Sequence, residues 1–283
     1  MTEAAQPAEP AAPVEPCPNC GAAEPGPFCA QCGQRRPAPD DYSLRRFWRH
    51  VFHEATEVDS SLVRSLAGLF RPGYLTREHL AGRRARHLSP VKLYLLISAV
   101  YFLFAWDASF EMMNYADQFR NDPNVTAALP SEMGQKYLAG LDEIIERSGE
   151  YTGYLRFVTV LGLGFVLALL YRRQDRRQGR ALGQHFVFTL HFYSFYLVFA
   201  LLVLAALLLW RAAFGGTVST WLYFVIGYLP VAPFAYAALR RVYGQGRGKT
   251  ALKAALLMLF DAVMWMTVGI LAFGVATFQV LRS

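Results

Sequence analysis

Four cysteines near the N-terminus are the residues of this chain best suited to chemistry. They are Cys17, Cys20, Cys29 and Cys32, they form two C-x-x-C pairs, and the chain has no other cysteine. Two such pairs supply four thiolates at the spacing that wraps a tetrahedral ion. Gly21 and Gly33 each follow a pair, where a small residue lets backbone amides turn toward the sulfur atoms. The pattern predicts a four-cysteine metal ribbon at residues 16–36.

The donor set narrows the choice of ion. Four thiolates suit Zn²⁺, and iron in a rubredoxin-like site is the main alternative because tetrahedral sulfur accepts both metals. A disulfide framework would require an oxidising compartment, and a redox-active C-x-x-C pair is a further alternative. Four protein ligands leave no open position for water, so the zinc interpretation predicts a structural ion rather than a Lewis acid. Phe28 is the only large apolar residue of the module, so metal binding must supply most of its folding free energy.

The rest of the chain is predominantly apolar. Hydrophobic residues make up 54% of the 283 residues and charged residues 17%, compared with about 25% charged residues in an average soluble protein. The net charge is +7, but the basic residues lie beside apolar runs. This distribution is typical of the cytoplasmic flanks of membrane spans, so no nucleic-acid partner is expected. Residues 1–15 have neither a basic n-region nor an apolar core and predict a disordered leader.

Long apolar runs from residue 90 onward predict a membrane bundle. A bilayer core of about 30 Å requires about 20 apolar residues in a helix. The fold class is therefore expected to be an all-α membrane protein, with a bundle of about five transmembrane helices at residues 90–281 and an outer acidic loop at 107–153. The predicted spans are residues 90–106, 154–171, 185–210, 217–239 and 254–281. Pro230 and Pro233 are expected to bend the fourth span.

The distribution of Lys and Arg predicts the orientation. Basic residues cluster before the first span, after the second and after the fourth, whereas the loop at residues 107–153 is acidic. With five spans, all three basic clusters fall on one side, which the positive-inside rule assigns to the cytoplasm. The N-terminus and the ribbon are then cytoplasmic, and the C-terminus is outside.

Residues 37–89 are expected to form cytoplasmic helices before the membrane. Leu44–Val58 has an apolar face and a basic face, which predicts a helix lying either on an anionic membrane surface or on the protein's own cytoplasmic side. A second helix, about Asp59–Phe70, is expected to end at Arg71-Pro72-Gly73. The basic run that follows is either a topology determinant or a lipid-headgroup site. Its arginines are Arg83, Arg84 and Arg86.

Two ionisable residues, His191 and Asp261, lie deep within predicted spans. Such residues cost about 2.5–3.5 kcal/mol at the bilayer centre on insertion scales and are candidates for function. His191 in the third span and Asp261 in the fifth are at similar depth from the cytoplasmic side, so the two side chains could pair. Two interpretations stay open, a polar clamp between helices and a proton relay or polar substrate site.

Several motifs resemble one known family. The ribbon reads C-x-x-C-G followed by F-C-x-x-C-G-Q at Phe28–Gln34. Later motifs are F-R-P-G at Phe70–Gly73, G-R-R at Gly82–Arg84 running on to Pro90, and H-F-V-F-x-x-H-F at His185–Phe192. Over most of its length the chain is similar to an uncharacterised bacterial membrane family, domain of unknown function 3667. His79 and His87 depart from that pattern, in which tyrosine is expected. The resemblance implies a zinc ribbon joined to a membrane bundle and implies no activity.

No catalytic motif is found in the spans. The patterns G-x-S-x-G and H-E-x-x-H and paired catalytic aspartates are missing there, so an enzyme is not expected. The sequence instead predicts a non-enzymatic inner-membrane protein with a structural zinc ribbon, acting in assembly, sensing or regulation. Its expected partners are membrane lipid and a protein bound through the ribbon. The alternative is a proton-coupled or small-solute transporter that uses Asp261 and His191.

Overall fold

The computed structural model describes residues 16–23, 27–35, 61–105, 119–129, 131–214 and 225–282. Over these ranges the chain is mostly helical, and β-structure is limited to two isolated bridges in the cysteine segment, Pro16–Ala23 and Phe28–Arg35. The predicted leader and the amphipathic helix at Leu44–Val58 lie outside the described residues. Part of the outer loop and residues 217–224 of the fourth predicted span lie outside them as well.

The named helices of the described residues are numbered in chain order. They are α1 (Ser61–Leu69), α2 (Tyr74–Leu80), α3 (Pro90–Ala105), α4 (Pro123–Ala128), α5 (Glu132–Ala139), α6 (Leu141–Gln178), α7 (Leu182–Phe214), α8 (Val231–Tyr243) and α9 (Arg247–Arg282).

The turn between α1 and α2 packs tightly on α8. Gly73 has a φ of +69°, a left-handed conformation that favours glycine. A Cβ added there would lie 2.9 Å from the carbonyl oxygen of Ala238, so the turn also needs a residue without a side chain. Arg241 Nη1 donates to the carbonyl of Pro72 at 2.9 Å. The proline and glycine thus end the helix before α2, as their types predict, and also bring the segment against the bundle.

Three helices, α6, α7 and α9, are long and apolar enough to cross a membrane, judged by length and composition. They correspond to the second, third and fifth predicted spans. The helix α6 begins at Leu141, before the predicted second span at residues 154–171, so one helix contains both the end of the predicted outer loop and that span. Gly140 separates this helix from α5.

The first and fourth predicted spans do not form helices as long as α6, α7 and α9 in the described residues. The helix α3 is apolar but shorter than the three long helices. In the fourth predicted span, residues 225–228 are helical, a turn follows, and α8 begins directly after Pro230. A proline lacks the N–H that a continuous helix needs, which accounts for a break at this point. Five transmembrane helices are therefore not confirmed by the described residues, whereas three helices of spanning length are.

The helices α6 and α9 run antiparallel side by side. At one end the Lys253 ammonium lies 3.5 Å from the centre of the Tyr171 ring, and at the other the Tyr151 hydroxyl donates to Gln279 Oε1 at 2.7 Å. Tyr151 and Tyr171 are separated by about 30 Å along a helix with a rise of 1.5 Å per residue. That separation is close to the thickness of the hydrocarbon core of a bilayer. The helix α7 packs against both α3 and α6.

The ends of α6 and α8, which both carry arginines, meet the start of α7 at one end of this bundle. His185 at the start of α7 lies 3.1 Å from Asp175 Oδ2 near the end of α6 and 2.8 Å from the hydroxyl of Tyr243 at the end of α8. Most acids of the described residues lie at the opposite end, within residues 122–150. The bundle therefore has a basic end and an acidic end.

Candidate functional site

The cysteine segment folds as two matching turns. The Gly21 N–H donates to the Cys17 carbonyl at 2.8 Å, and the Gly33 N–H donates to the Cys29 carbonyl at the same distance. Both glycines have a positive φ, 80° and 68°, which an L side chain rarely adopts. Each turn thereby folds its two sulfur atoms onto the same side of the backbone.

The four sulfur atoms form one compact cluster. All of them lie within 4.8 Å of one another. Cys17 Sγ is 3.7 Å from Cys32 Sγ, and Cys20 Sγ is 3.5 Å from Cys29 Sγ. A tetrahedral ion with bonds of about 2.3 Å to sulfur would place its ligands about 3.8 Å apart. The spacing therefore fits a four-coordinate metal ion, and the cluster is a candidate metal site at the four cysteines that the sequence singles out.

Hydrogen bonds favour the thiolate at two of the four cysteines, whereas burial and hydrogen bonds to the neighbouring thiols raise the pKa of Cys20 to about 12. The side chain of Asn19 and the backbone N–H of Gln34 hydrogen-bond to Cys32 and lower the pKa of its thiol to about 6. The backbone N–H groups of Cys20 and Asn19 lower the pKa of Cys17 in the same way. Thiolates this close repel one another, so a cation between them stabilises all four.

Gln34 joins the ribbon to the basic turn before α3. This side chain is 6% exposed. Its Nε2 donates to the carbonyl of Gly82, and its Oε1 accepts the backbone N–H groups of Arg84 at 2.9 Å and Ala85 at 3.0 Å. The Gln34 carbonyl accepts the Cys29 N–H at 2.9 Å, so this residue also belongs to the second cysteine turn. A residue of the metal ribbon thus supplies three hydrogen bonds to a turn about 50 positions away.

The three arginines of the possible lipid-headgroup site, Arg83, Arg84 and Arg86, differ from one another in their contacts. Arg83 donates from Nε and Nη2 to both carboxylate oxygens of Glu78, at 2.6 and 2.5 Å, a forked ion pair. This pair lowers the pKa of Glu78 below its ordinary value. Arg84 Nε lies 3.5 Å from the carbonyl of His79, and Arg86 is exposed. The charge of Arg83 is therefore already matched by a carboxylate.

His191 connects the segment before the membrane to α7. Its Nδ1 lies 3.1 Å from Thr76 Oγ1 on α2, and its ring is 7% exposed. A cavity of about 20 Å³ adjoins it, lined among others by Arg71 and Thr76. Such a volume holds about one water molecule. The helix α2, expected to be cytoplasmic, therefore packs directly on a helix of spanning length.

Asp261 has a different set of partners. Its Oδ1 accepts the hydroxyl of Tyr193 on α7, and its Oδ2 accepts the hydroxyl of Tyr228 at 2.5 Å. Asp261 is 8% exposed, so both carboxylate oxygens are buried and hydrogen-bonded. Asp261 and His191, whose pairing the sequence left open, thus each contact hydroxyl groups: those of Tyr193 and Tyr228 for Asp261, and that of Thr76 for His191.

The two histidines that depart from the family pattern keep ring contacts. The His87 ring meets Tyr74 edge to face at 5.7 Å between centroids, and the His79 ring meets His191 at 6.4 Å. Burial lowers the pKa of His87 below its ordinary value, so the neutral ring is favoured at neutral pH. Imidazole can therefore fill these positions as an aromatic side chain.

Sequence reasoning did not identify Gln34, Thr76 or Tyr228 as partners of the candidate sites. Gln34 carried one signal, its place at the end of the F-C-x-x-C-G-Q motif. Thr76 and Tyr228 carried none, since a single threonine or tyrosine beside an apolar run has many possible neighbours.

Comparison with known families finds one match. Residues 59–102 match the model of a family described as "Protein of unknown function (DUF3667)". The matched stretch contains α1, α2, the basic turn and most of α3. The resemblance drawn from the motifs is therefore confirmed over this stretch, which is the part of the chain that receives Gln34. Comparison with the curated proteins found no match, and neither did comparison with the solved structures.

Proposed function

We propose that this chain is a non-enzymatic, multi-pass protein of the bacterial inner membrane, whose zinc ribbon lies in the cytoplasm and controls the position of the segment before the first span. In this proposal the protein acts in assembly, sensing or regulation. The observation that carries it is the Gln34 contact, since one side chain belongs to the metal ribbon and holds the family-matched turn.

Contacts continue from that turn toward the bundle. Arg83 of the turn pairs with Glu78 of α2, and Thr76 of the same helix meets His191 of α7. The state of the ribbon is therefore linked through a short helix to a helix of spanning length. Coupling of this kind requires a contiguous set of packed groups, and these contacts provide one.

In this proposal the bound ion is zinc and the chain crosses the membrane five times. Four thiolates in a reducing compartment favour Zn²⁺, because it needs no redox partner and accepts tetrahedral sulfur. When bound, the ion would be held by Cys17, Cys20, Cys29 and Cys32 and would supply folding free energy. A first span at α3 is supported by its exposed apolar residues, among them Leu103, which is 74% exposed. With the broken helix around Pro230 as the fourth, the basic end of the bundle faces the cytoplasm.

The transport alternative receives less support from the geometry. A coupling carboxylate must exchange protons or ions with a pathway, whereas both oxygens of Asp261 accept tyrosine hydroxyls. His191 is engaged with Thr76 at another place in the bundle. Because Asp261 and His191 are hydrogen-bonded to different partners, their geometry favours two polar clamps between helices over a shared transport site.

Hydrogen exchange on the full chain tests the proposal. Replacing Gln34 by Ala leaves one buried carbonyl and two N–H groups of the turn without partners, which costs about 1–3 kcal/mol. We expect amides at residues 82–87 to exchange about tenfold faster or more in Gln34→Ala. Gln31→Ala is the matched control, because Gln31 is exposed in the same cysteine turn. Equal exchange in Gln34→Ala and wild type would contradict the docking.

Measuring the zinc content of cysteine variants tests whether the cysteines bind the ion and whether the ribbon controls the basic turn. Cys17→Ser with Cys29→Ser should remove the bound zinc, which is expected at one ion per chain in the wild type. The same double variant should accelerate exchange at residues 82–87 as strongly as Gln34→Ala, because the turn that carries Gln34 no longer folds. If zinc is lost while exchange in the basic turn is unchanged, the ribbon does not control that turn.

A further inference from the structure

One exposed face of α6 runs from apolar to cationic. Val158, Phe165 and Leu169 are 50%, 53% and 61% exposed. At about 100° per residue, these three positions share one face of the helix, with Arg172, Arg173 and Arg176 continuing it. All three arginines are exposed, and the opposite face of the helix is buried.

The opposite face shows why the arginines point away from the bundle. Leu163, Leu167 and Tyr171 are at most 1% exposed. Asp175 continues this buried face and is engaged with His185. The helix therefore keeps its one carboxylate at this end inside the bundle and its arginines outside. Among the described residues at this end, no exposed acid offsets them.

The dimensions match one leaflet of a bilayer. Val158 and Leu169 are separated by about 16 Å along the helix axis. Half of a hydrocarbon core of about 30 Å is about 15 Å. The apolar part of the face is thus about as long as the acyl-chain layer of one leaflet. The arginines come after it along the helix, at the depth of the lipid phosphate groups.

We propose that this face of α6, from Val158 to Arg176, is a binding site for an anionic phospholipid, with the acyl chains along Val158, Phe165 and Leu169 and the phosphate at Arg172, Arg173 and Arg176. Guanidinium groups match phosphate oxygens in a forked geometry. An acidic protein or a nucleic acid would be drawn by the same charges but would have no use for the apolar stripe. The site is distinct from Arg83, whose charge is matched by Glu78.

Lipid retention by the full chain in detergent, measured by native mass spectrometry, tests the site. Phosphatidylglycerol and phosphatidylcholine with identical acyl chains are offered together, and the bound ratio is compared between variants. Each basic residue near an anionic surface contributes about 1 kcal/mol, which is about fivefold in affinity. We expect the wild type to prefer phosphatidylglycerol, and the triple variant Arg172→Gln, Arg173→Gln, Arg176→Gln to lose at least tenfold of that preference.

Two further variants serve as controls. The corresponding triple replacement by Lys keeps the charge but not the forked geometry, so it should retain the part of the preference that charge alone supplies, with folding and orientation preserved. Arg147→Gln removes one arginine from the same helix at the acidic end and should leave the preference unchanged. Rising salt should weaken the preference of the wild type, because a partly exposed ionic contact is screened.

Several results would overturn the proposal. One is an equal lipid ratio for the wild type and the triple Gln variant, and another is an equal loss in Arg147→Gln. Displacement of the lipid by soluble glycerol phosphate or by polyglutamate at matched concentration would show that the apolar stripe plays no part. If the triple Gln variant fails to fold, the Lys variant and the salt dependence of the wild type decide the question. The inference needs membrane insertion but not the ribbon, so the Gln34 exchange experiment fails or succeeds independently of it.

Discussion

Removing a hydroxyl that donates to Asp261 should destabilise the bundle. The carboxylate is 8% exposed, with one oxygen accepting Tyr193 and the other accepting Tyr228 at 2.5 Å. A hydrogen bond to a charged group contributes about 1.5–3 kcal/mol in soluble proteins. Polar contacts between membrane helices average about 0.6 kcal/mol, with a maximum of about 1.7. Both oxygens are buried here, so we expect about 1–2 kcal/mol for Tyr228→Phe and the same for Tyr193→Phe.

Thermal unfolding of purified chain in detergent measures this cost. A loss of 1 kcal/mol lowers Tm by about 2–4 °C in a protein of this size range, so each variant should melt about 2–8 °C below the wild type. Tyr154→Phe is the matched control, because Tyr154 is 76% exposed and its hydroxyl should cost little.

A double-mutant cycle identifies the contact itself. Combining Tyr228→Phe with Asp261→Asn should cost less than the sum of the two single changes, by at least about 0.5 kcal/mol. Additive effects, or melting of both tyrosine variants at the wild-type temperature, would refute the clamp. Normal abundance and a wild-type Tm of Asp261→Asn would also refute the clamp, and would favour the transport alternative.

Two further predictions concern the segment before the first span. Gly73→Ala should destabilise the chain more than Gly244→Ala, because both glycines have a left-handed φ but only at Gly73 would the new Cβ lie 2.9 Å from the Ala238 carbonyl oxygen; equal losses of Tm would contradict this packing. Arg83 lowers the pKa of Glu78, so the ion pair stabilises the turn fully above the unfolded-state pKa of about 4.3 and loses its effect as pH falls through the lower folded-state pKa. Exchange at residues 82–87 should therefore rise faster below about pH 4.3 in the wild type than in Glu78→Gln, and parallel pH profiles would argue against the pair.

Local spacing was sufficient to predict the four-cysteine cluster and the three long helices. A C-x-x-C-G turn brings its two sulfur atoms together without help from the rest of the chain, since Gly21 and Gly33 supply the positive φ. An apolar run of sufficient length predicts a spanning helix because the bilayer cannot satisfy an open backbone. The helix α6 begins at Leu141, before the predicted span at residues 154–171, because hydropathy marks where a helix enters lipid and not where the helix itself starts.

The sequence by itself identified the candidate groups: four cysteines at metal-binding spacing, two ionisable residues deep in predicted spans, and a set of basic flanks. Only the tertiary structure decided which groups meet. Gln34 reaches a turn about 50 positions away, and Asp261 accepts the hydroxyls of Tyr193 and Tyr228. The physical reason is that one residue of helix rotates a side chain by about 100°, so partners between helices depend on the rotation and offset of each helix, which packing sets and composition does not.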